Sequence, residues 1–101
     1  MFGLSPDVVE NIKGIISGFP QIEKVIIYGS RTKGTYKDGS DIDLTLVGDD
    51  LTLKTVYALE DKLDDLYLPY TFDISIFSRI NNPDLIQHIT DFGKPFYVKG
   101  F

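Results

Sequence analysis

Residues 41–47 read Asp-Ile-Asp-Leu-Thr-Leu-Val, and apolar residues alternate with polar ones up to the closing Val47. Successive side chains of a β-strand point to opposite faces of the sheet. Ile42, Leu44 and Leu46 therefore share one face, and Asp41, Asp43 and Thr45 share the other. Such a segment belongs in a sheet with one face covered and one face acidic. Few small folds accommodate it, and its neighbours in the chain narrow them further.

Two other runs have strand character. Lys24 to Tyr28 is short, rich in β-branched residues and ends at Gly29. Tyr70 to Phe77 places Phe72, Ile74 and Ile76 on one face, with Asp73 and Ser75 on the other. Three segments read as helices. Ser5-Pro6-Asp7 supplies an N-cap, a proline at the first helical position and an acid in the first turn. Val8, Val9, Ile12, Ile15 and Ile16 follow at helical spacing, and this helix should stop near Gly18. Leu53, Val56, Tyr57, Leu59, Leu63 and Leu66 mark a second helix with Glu60, Asp61, Asp64 and Asp65 on its wet side, closed by Pro69. Asn82-Pro83-Asp84 caps a third, ending near Gly93. Gly29 to Gly39 reads as a loop, with room for one helical turn after Ser30. Phe96-Tyr97-Val98 is left as an apolar tail, suited to core packing or to a docking edge.

The order is helix, strand, loop, strand, helix, strand, helix. The helix between the second and third strands is a crossover, which makes those two strands parallel. The first two can be antiparallel. The expected class is α/β (α+β): a small mixed sheet with helices packed on it, forming one domain over residues 1–101. A chain of 101 residues with 43% hydrophobic and 25% charged residues has ordinary globular composition, but its core is thin and a partner would help stabilise it. A homo- or hetero-oligomer is compatible with that.

The net charge of −5 disfavours direct binding to a nucleic-acid backbone and suits a site that gathers divalent cations. Without cysteine there are no disulfides, thiolate zinc sites or cysteine nucleophiles. The first residues lack a basic segment and a long apolar run, and no stretch approaches a membrane span. A cytoplasmic location, with no membrane attachment, is the simplest expectation.

Three features carry chemistry. Asp41 and Asp43, two positions apart on one strand face, have Cα atoms about 6.5–7 Å apart. Carboxylates at that spacing can share hard cations such as Mg²⁺, or can be two solvated acids on an edge strand. Gly29-Ser30 follows a strand directly, where glycine lets backbone approach a ligand and N–H and hydroxyl groups face phosphate. An ordinary turn has the same appearance. Arg31 and Lys33 lie beside it as phosphate-neutralising or surface cations. Asp73 is a lone acid between Phe72 and Ile74. If the third strand lies beside the second, all three carboxylates meet near Gly29-Ser30.

Taken together, Gly29-Ser30-Arg31, Gly34 and Ser40-Asp41-Ile42-Asp43-Leu44 resemble the core motif of the minimal nucleotidyltransferases, in the DNA polymerase β-like superfamily. The resemblance runs from Val25 to Phe77 and includes the lone later acid. It implies that Gly29, Ser30, Arg31 and Ser40 meet a nucleoside triphosphate. Two Mg²⁺ ions would be held by Asp41, Asp43 and Asp73, with Asp73 also accepting the proton of the attacking hydroxyl. It further implies ATP as substrate, and a helical HEPN-type toxin as partner and AMP acceptor through a tyrosine, so that the chain acts as an antitoxin. Two alternatives stand beside this: a nucleotide-binding antitoxin that acts by occlusion, and an aminoglycoside-type small-molecule enzyme. The latter needs an acceptor domain that a chain this short does not hold. Tyr36 is the aromatic residue placed for base stacking. His88, the only histidine, reads as structural.

Overall fold

The computed structural model describes residues 1–37 and 39–100; Asp38, within the expected loop, and Phe101, at the end of the apolar tail, lie outside them. Helix α1 spans Pro6–Ile16, and its first turn is closed by Val8 N–H donating to Ser5 Oγ at 3.2 Å. Strand β1 (Lys24–Tyr28) leads into a one-turn helix α2 (Ser30–Lys33), and strand β2 runs Ile42–Val47. Helix α3 (Leu53–Asp64) starts with Thr52 N–H donating to Thr55 Oγ1 at 3.3 Å. Strand β3 (Phe72–Ile76) passes through a 3-10 turn (Phe77–Arg79) to helix α4, Pro83–Phe92. Asn82 Oδ1 caps α4 by accepting from the N–H groups of Asp84 and Leu85. A final strand, β4, spans Lys94–Val98.

The four strands lie in the order β3-β2-β1-β4. As the crossover requires, β2 and β3 are parallel, while β1 is antiparallel to both β2 and β4. Val25, Ile27, Ile42, Leu44 and Leu46 are completely buried on one face, in one core with Val9, Ile12 and Ile16 of α1 and Val56, Leu59 and Leu63 of α3. This is the covered face that the alternation in residues 41–47 demanded.

Three expectations need correction. The apolar tail is a paired edge strand, with Phe96 buried in the core. Pro95 disguised it, since proline removes a ladder donor and is tolerated on edges. The apolar stripe of α3 is also narrower than expected: Leu53 and Tyr57 are exposed, because packing on a thin sheet uses only the Val56-Leu59-Leu63 line. Finally, Thr45 is completely buried on the face expected to be wet. Helix α4 packs over that face, close enough that a Cβ at Gly93 would meet Ile26 Cγ2 at 2.8 Å. Thr45 is satisfied there by accepting from Ser75 Oγ at 2.9 Å. Among the described residues no helix is long and apolar enough to cross a membrane.

Candidate functional site

The face opposite the core is organised by register. Tyr28 of β1 is paired with Asp43 of β2, and Asp43 with Asp73 of β3. Cross-strand partners point to the same side of a sheet, so Asp43 and Asp73 share one side. Asp73 is exposed, Asp43 is half-buried, and Asp41 lies exposed one residue ahead of β2. Burial, first, then the neighbouring charges of Asp73 and Asp41, pushes the Asp43 carboxyl above the usual aspartate range, with the Arg31 charge opposing. The charges of Asp73 and Asp41 thus both reach the Asp43 carboxyl. Among the described residues no three acidic, His or Cys side chains stand close enough to hold one ion, so a cation would have to draw the carboxylates inward.

Beside this row lies a second, hydroxyl-bearing row. Thr45 pairs with Ser75, whose hydroxyl donates to Thr45 Oγ1 and lies near the Tyr28 phenol. Burial holds the Tyr28 phenol above its ordinary range; Asp73 and Asp43 push the same way, while the Ser75 hydroxyl opposes. The hydroxyls of Tyr28, Thr45 and Ser75 thus lie beside the carboxylates on the same face of the sheet.

Gly29 directly follows Tyr28 and heads α2 with φ 82° and ψ −151°, a combination essentially reserved for glycine. A Cβ there would overlap Asp43 Oδ2, so the turn and the carboxylate pack backbone against side chain. The Gly29 carbonyl accepts from the N–H groups of Thr32 and Lys33, both at 3.2 Å. Ser30, half-buried, is the first residue of α2, where backbone N–H groups have no intrahelical partner.

Arg31 is 4% exposed and turned away from solvent. Its Nε, Nη1 and Nη2 donate to the carbonyls of Asp41 (3.3 Å), Phe2 (3.0 Å) and Ser40 (2.8 Å). The guanidinium carbon lies 5.4 Å from the Tyr36 ring centroid and 4.9 Å from that of Tyr70. Arg31 therefore ties down the segment entering β2, and Tyr36 is engaged with it. Ser40 Oγ accepts from Lys37 N–H at 2.8 Å, closing the same loop. Lys33 is exposed, its Nζ 5.3 Å from the Phe92 ring. Replacing Arg31 with Lys leaves carbonyls without their donor, and each buried unpaired group costs about 1–3 kcal/mol. Urea unfolding of Arg31→Lys should show a loss of that order.

Two residues at this site carry no local sequence signal for it. Tyr28 was legible as a strand residue, but its partner on the next strand was not. His88 lies 59 positions from Gly29, yet its Nε2 accepts the Gly29 N–H at 3.0 Å. No local pattern signals such a pairing.

The sequence profile described as polymerase beta, nucleotidyltransferase matches residues 10–100. Among curated proteins none matches. Several solved structures share the fold. A toxin-antitoxin crystal structure with AMP-PNP is 22% identical, with a TM-score of 0.72, covering 90% of this chain and 73% of that one. A tri-AMPylated Shewanella oneidensis HEPN toxin in complex with MNT antitoxin gives 20% identity and a TM-score of 0.62, covering 91% and 73%. A candidate nucleotidyltransferase from Sulfolobus solfataricus is 23% identical with a TM-score of 0.51, covering 98% and 96%.

Proposed function

The chain belongs to the polymerase beta nucleotidyltransferase family, and from that premise we propose that it transfers AMP from ATP to a tyrosine hydroxyl of a HEPN-type toxin, acting as its antitoxin. The observation that carries this is the in-register pair Asp43–Asp73 beside the Gly29 turn. Its fold is shared with a toxin-antitoxin structure containing AMP-PNP and with an MNT antitoxin bound to an AMPylated HEPN toxin. Both likenesses support the choice of nucleotide and partner.

The carboxylates of Asp41, Asp43 and Asp73 offer oxygen donors only, which suits Mg²⁺. The raised Asp43 carboxyl marks like charges crowded where a dication would offset them. Their oxygen donors suit the two ions expected of the site once binding draws the three carboxylates together. When bound, such ions lower the pKa of the attacking hydroxyl and stabilise the departing pyrophosphate.

The chain's own groups do the rest. Gly29 and Ser30 bind the terminal phosphates and orient the α-phosphorus. The acceptor oxygen bonds to that phosphorus as the bond to the bridging oxygen breaks, and pyrophosphate leaves. Asp73, the exposed carboxylate of the pair, takes the hydroxyl proton. Arg31 and Ser40 act less by touching phosphate than by holding the loop that delivers Asp41. Positioning and charge neutralisation then supply most of the rate.

The test is transfer of labelled α-phosphate from ATP with Mg²⁺, with and without a HEPN-type helical protein as acceptor. Label should appear on a partner tyrosine, and vanish with chelator or Asp41→Asn. Equal labelling by wild type and Asp41→Asn would refute the proposal. Tight partner binding without any labelling would support occlusion instead.

A further inference from the structure

We propose that His88 is a positioning residue for the nucleotide-binding turn: from α4 it pins Gly29 in the one backbone conformation that leaves room for Asp43. This rests on the nucleotidyl-transfer reading above and names a further residue on which it depends.

Gly29 is a weak point as well as a necessity. Glycine is required by the φ of 82° and by the overlap a Cβ would make with Asp43 Oδ2. Glycine is also the residue whose torsions are least self-restrained. Both neighbouring peptide groups must therefore be held from outside. The Gly29–Ser30 peptide is held through its carbonyl by the N–H groups of Thr32 and Lys33 and by Thr32 Oγ1 at 3.0 Å. The Tyr28–Gly29 peptide is held through its N–H by His88 Nε2 at 3.0 Å. With both peptide planes fixed, φ and ψ of Gly29 are fixed, and with them the direction of Ser30 and the space for the Asp43 carboxylate.

His88 is itself held. Its ring meets Tyr28 edge-on with centroids 6.1 Å apart, and Phe92 at 5.3 Å. The next residue, Ile89, is 4% exposed and anchors α4 against the sheet. Because Nε2 accepts, it carries no proton, and the imidazole serves as an acceptor from the fold rather than as a group touching substrate.

The test compares wild type, His88→Phe and His88→Gln as full-length chains. Phenylalanine keeps a ring but removes the acceptor; the glutamine carbonyl replaces it at similar reach. Titration with ATP and Mg²⁺ gives affinity, hydrogen exchange of the Gly29 amide gives its restraint, and melting temperature reports the fold. His88→Phe should weaken ATP binding about tenfold, the size of one lost positioning hydrogen bond. Its Gly29 amide should exchange faster, and its melting temperature should fall by about 4–8 °C for each kcal/mol the unpaired amide costs, with all of these effects largely restored in His88→Gln. Wild-type affinity in His88→Phe would overturn the assignment. So would equal weakening in both variants with a lowered melting temperature. If the wild type binds no ATP, the proposed function fails too, and that is visible before any variant is compared.

Discussion

Asp43→Asn is expected to abolish nucleotidyl transfer while making the metal-free protein more stable. The two effects share one cause. Asp43 is half-buried beside Asp73 and Asp41, and burial together with those charges raises its carboxyl pKa. A carboxyl raised on folding contributes stability below its unfolded pKa, and that contribution is lost as pH climbs through the elevated folded value. At neutral pH the metal-free fold therefore carries an ionised group it would prefer neutral. Asparagine keeps the shape and removes the charge, so the melting temperature in chelator should rise. The same change removes the central carboxylate of the site, and transfer should fall by about 10²–10³ or more. Mg²⁺ should stabilise the wild type and leave the variant nearly unmoved, because only a species bound by the native state stabilises it. Calorimetry with chelator and with Mg²⁺, beside the labelling assay, checks all three. A variant that melts lower than wild type in chelator would contradict the electrostatic account. One that still transfers would contradict the role of Asp43.

Gly29→Ala should damage both the fold and the site. Alanine at φ 82°, ψ −151° is strained, and its methyl overlaps Asp43 Oδ2. Strain in such backbone regions costs about 1–3 kcal/mol. In a domain of this size each kcal/mol lowers the melting temperature by about 4–8 °C. Relief requires Asp43 to rotate away or the turn to open, and either removes a carboxylate from the phosphate turn. Nucleotide binding should be lost with stability. Gly34→Ala is the control: φ is 79° there too, but nothing lies within 4 Å of the added methyl. It should cost stability through strain while leaving nucleotide affinity close to wild type. Equal loss of affinity in both variants would mean that general instability, not the Gly29–Asp43 contact, matters.

Much of this site was legible from local pattern. The period-2 alternation of residues 41–47 and 70–77 assigns Asp43 and Asp73 to the faces opposite their apolar neighbours, and the structure keeps that parity. The crossover helix makes β2 and β3 parallel neighbours, which is enough to bring the two acids to one side. The helix starts at Ser5 and Asn82 were equally local, since a cap and its first turn lie within three residues.

What escaped was non-local. Burial of Thr45 depends on Ile26 and Ser75 flanking it from β1 and β3, and the strand character of residues 94–98 depends on β1 offering an unpaired edge. Arg31 follows the Gly-Ser pair in sequence. The direction of its guanidinium, however, is set by Phe2, Ser40 and Tyr70, which arrive from three parts of the chain. By itself, then, the amino-acid order determined which side chains face together along each strand, because neighbouring residues obey one backbone period. Tertiary structure alone decided which of them would be restrained, buried or joined, as Gly29 is to His88. Such bonds form between segments brought close only by packing, and no periodicity within a segment records its partner.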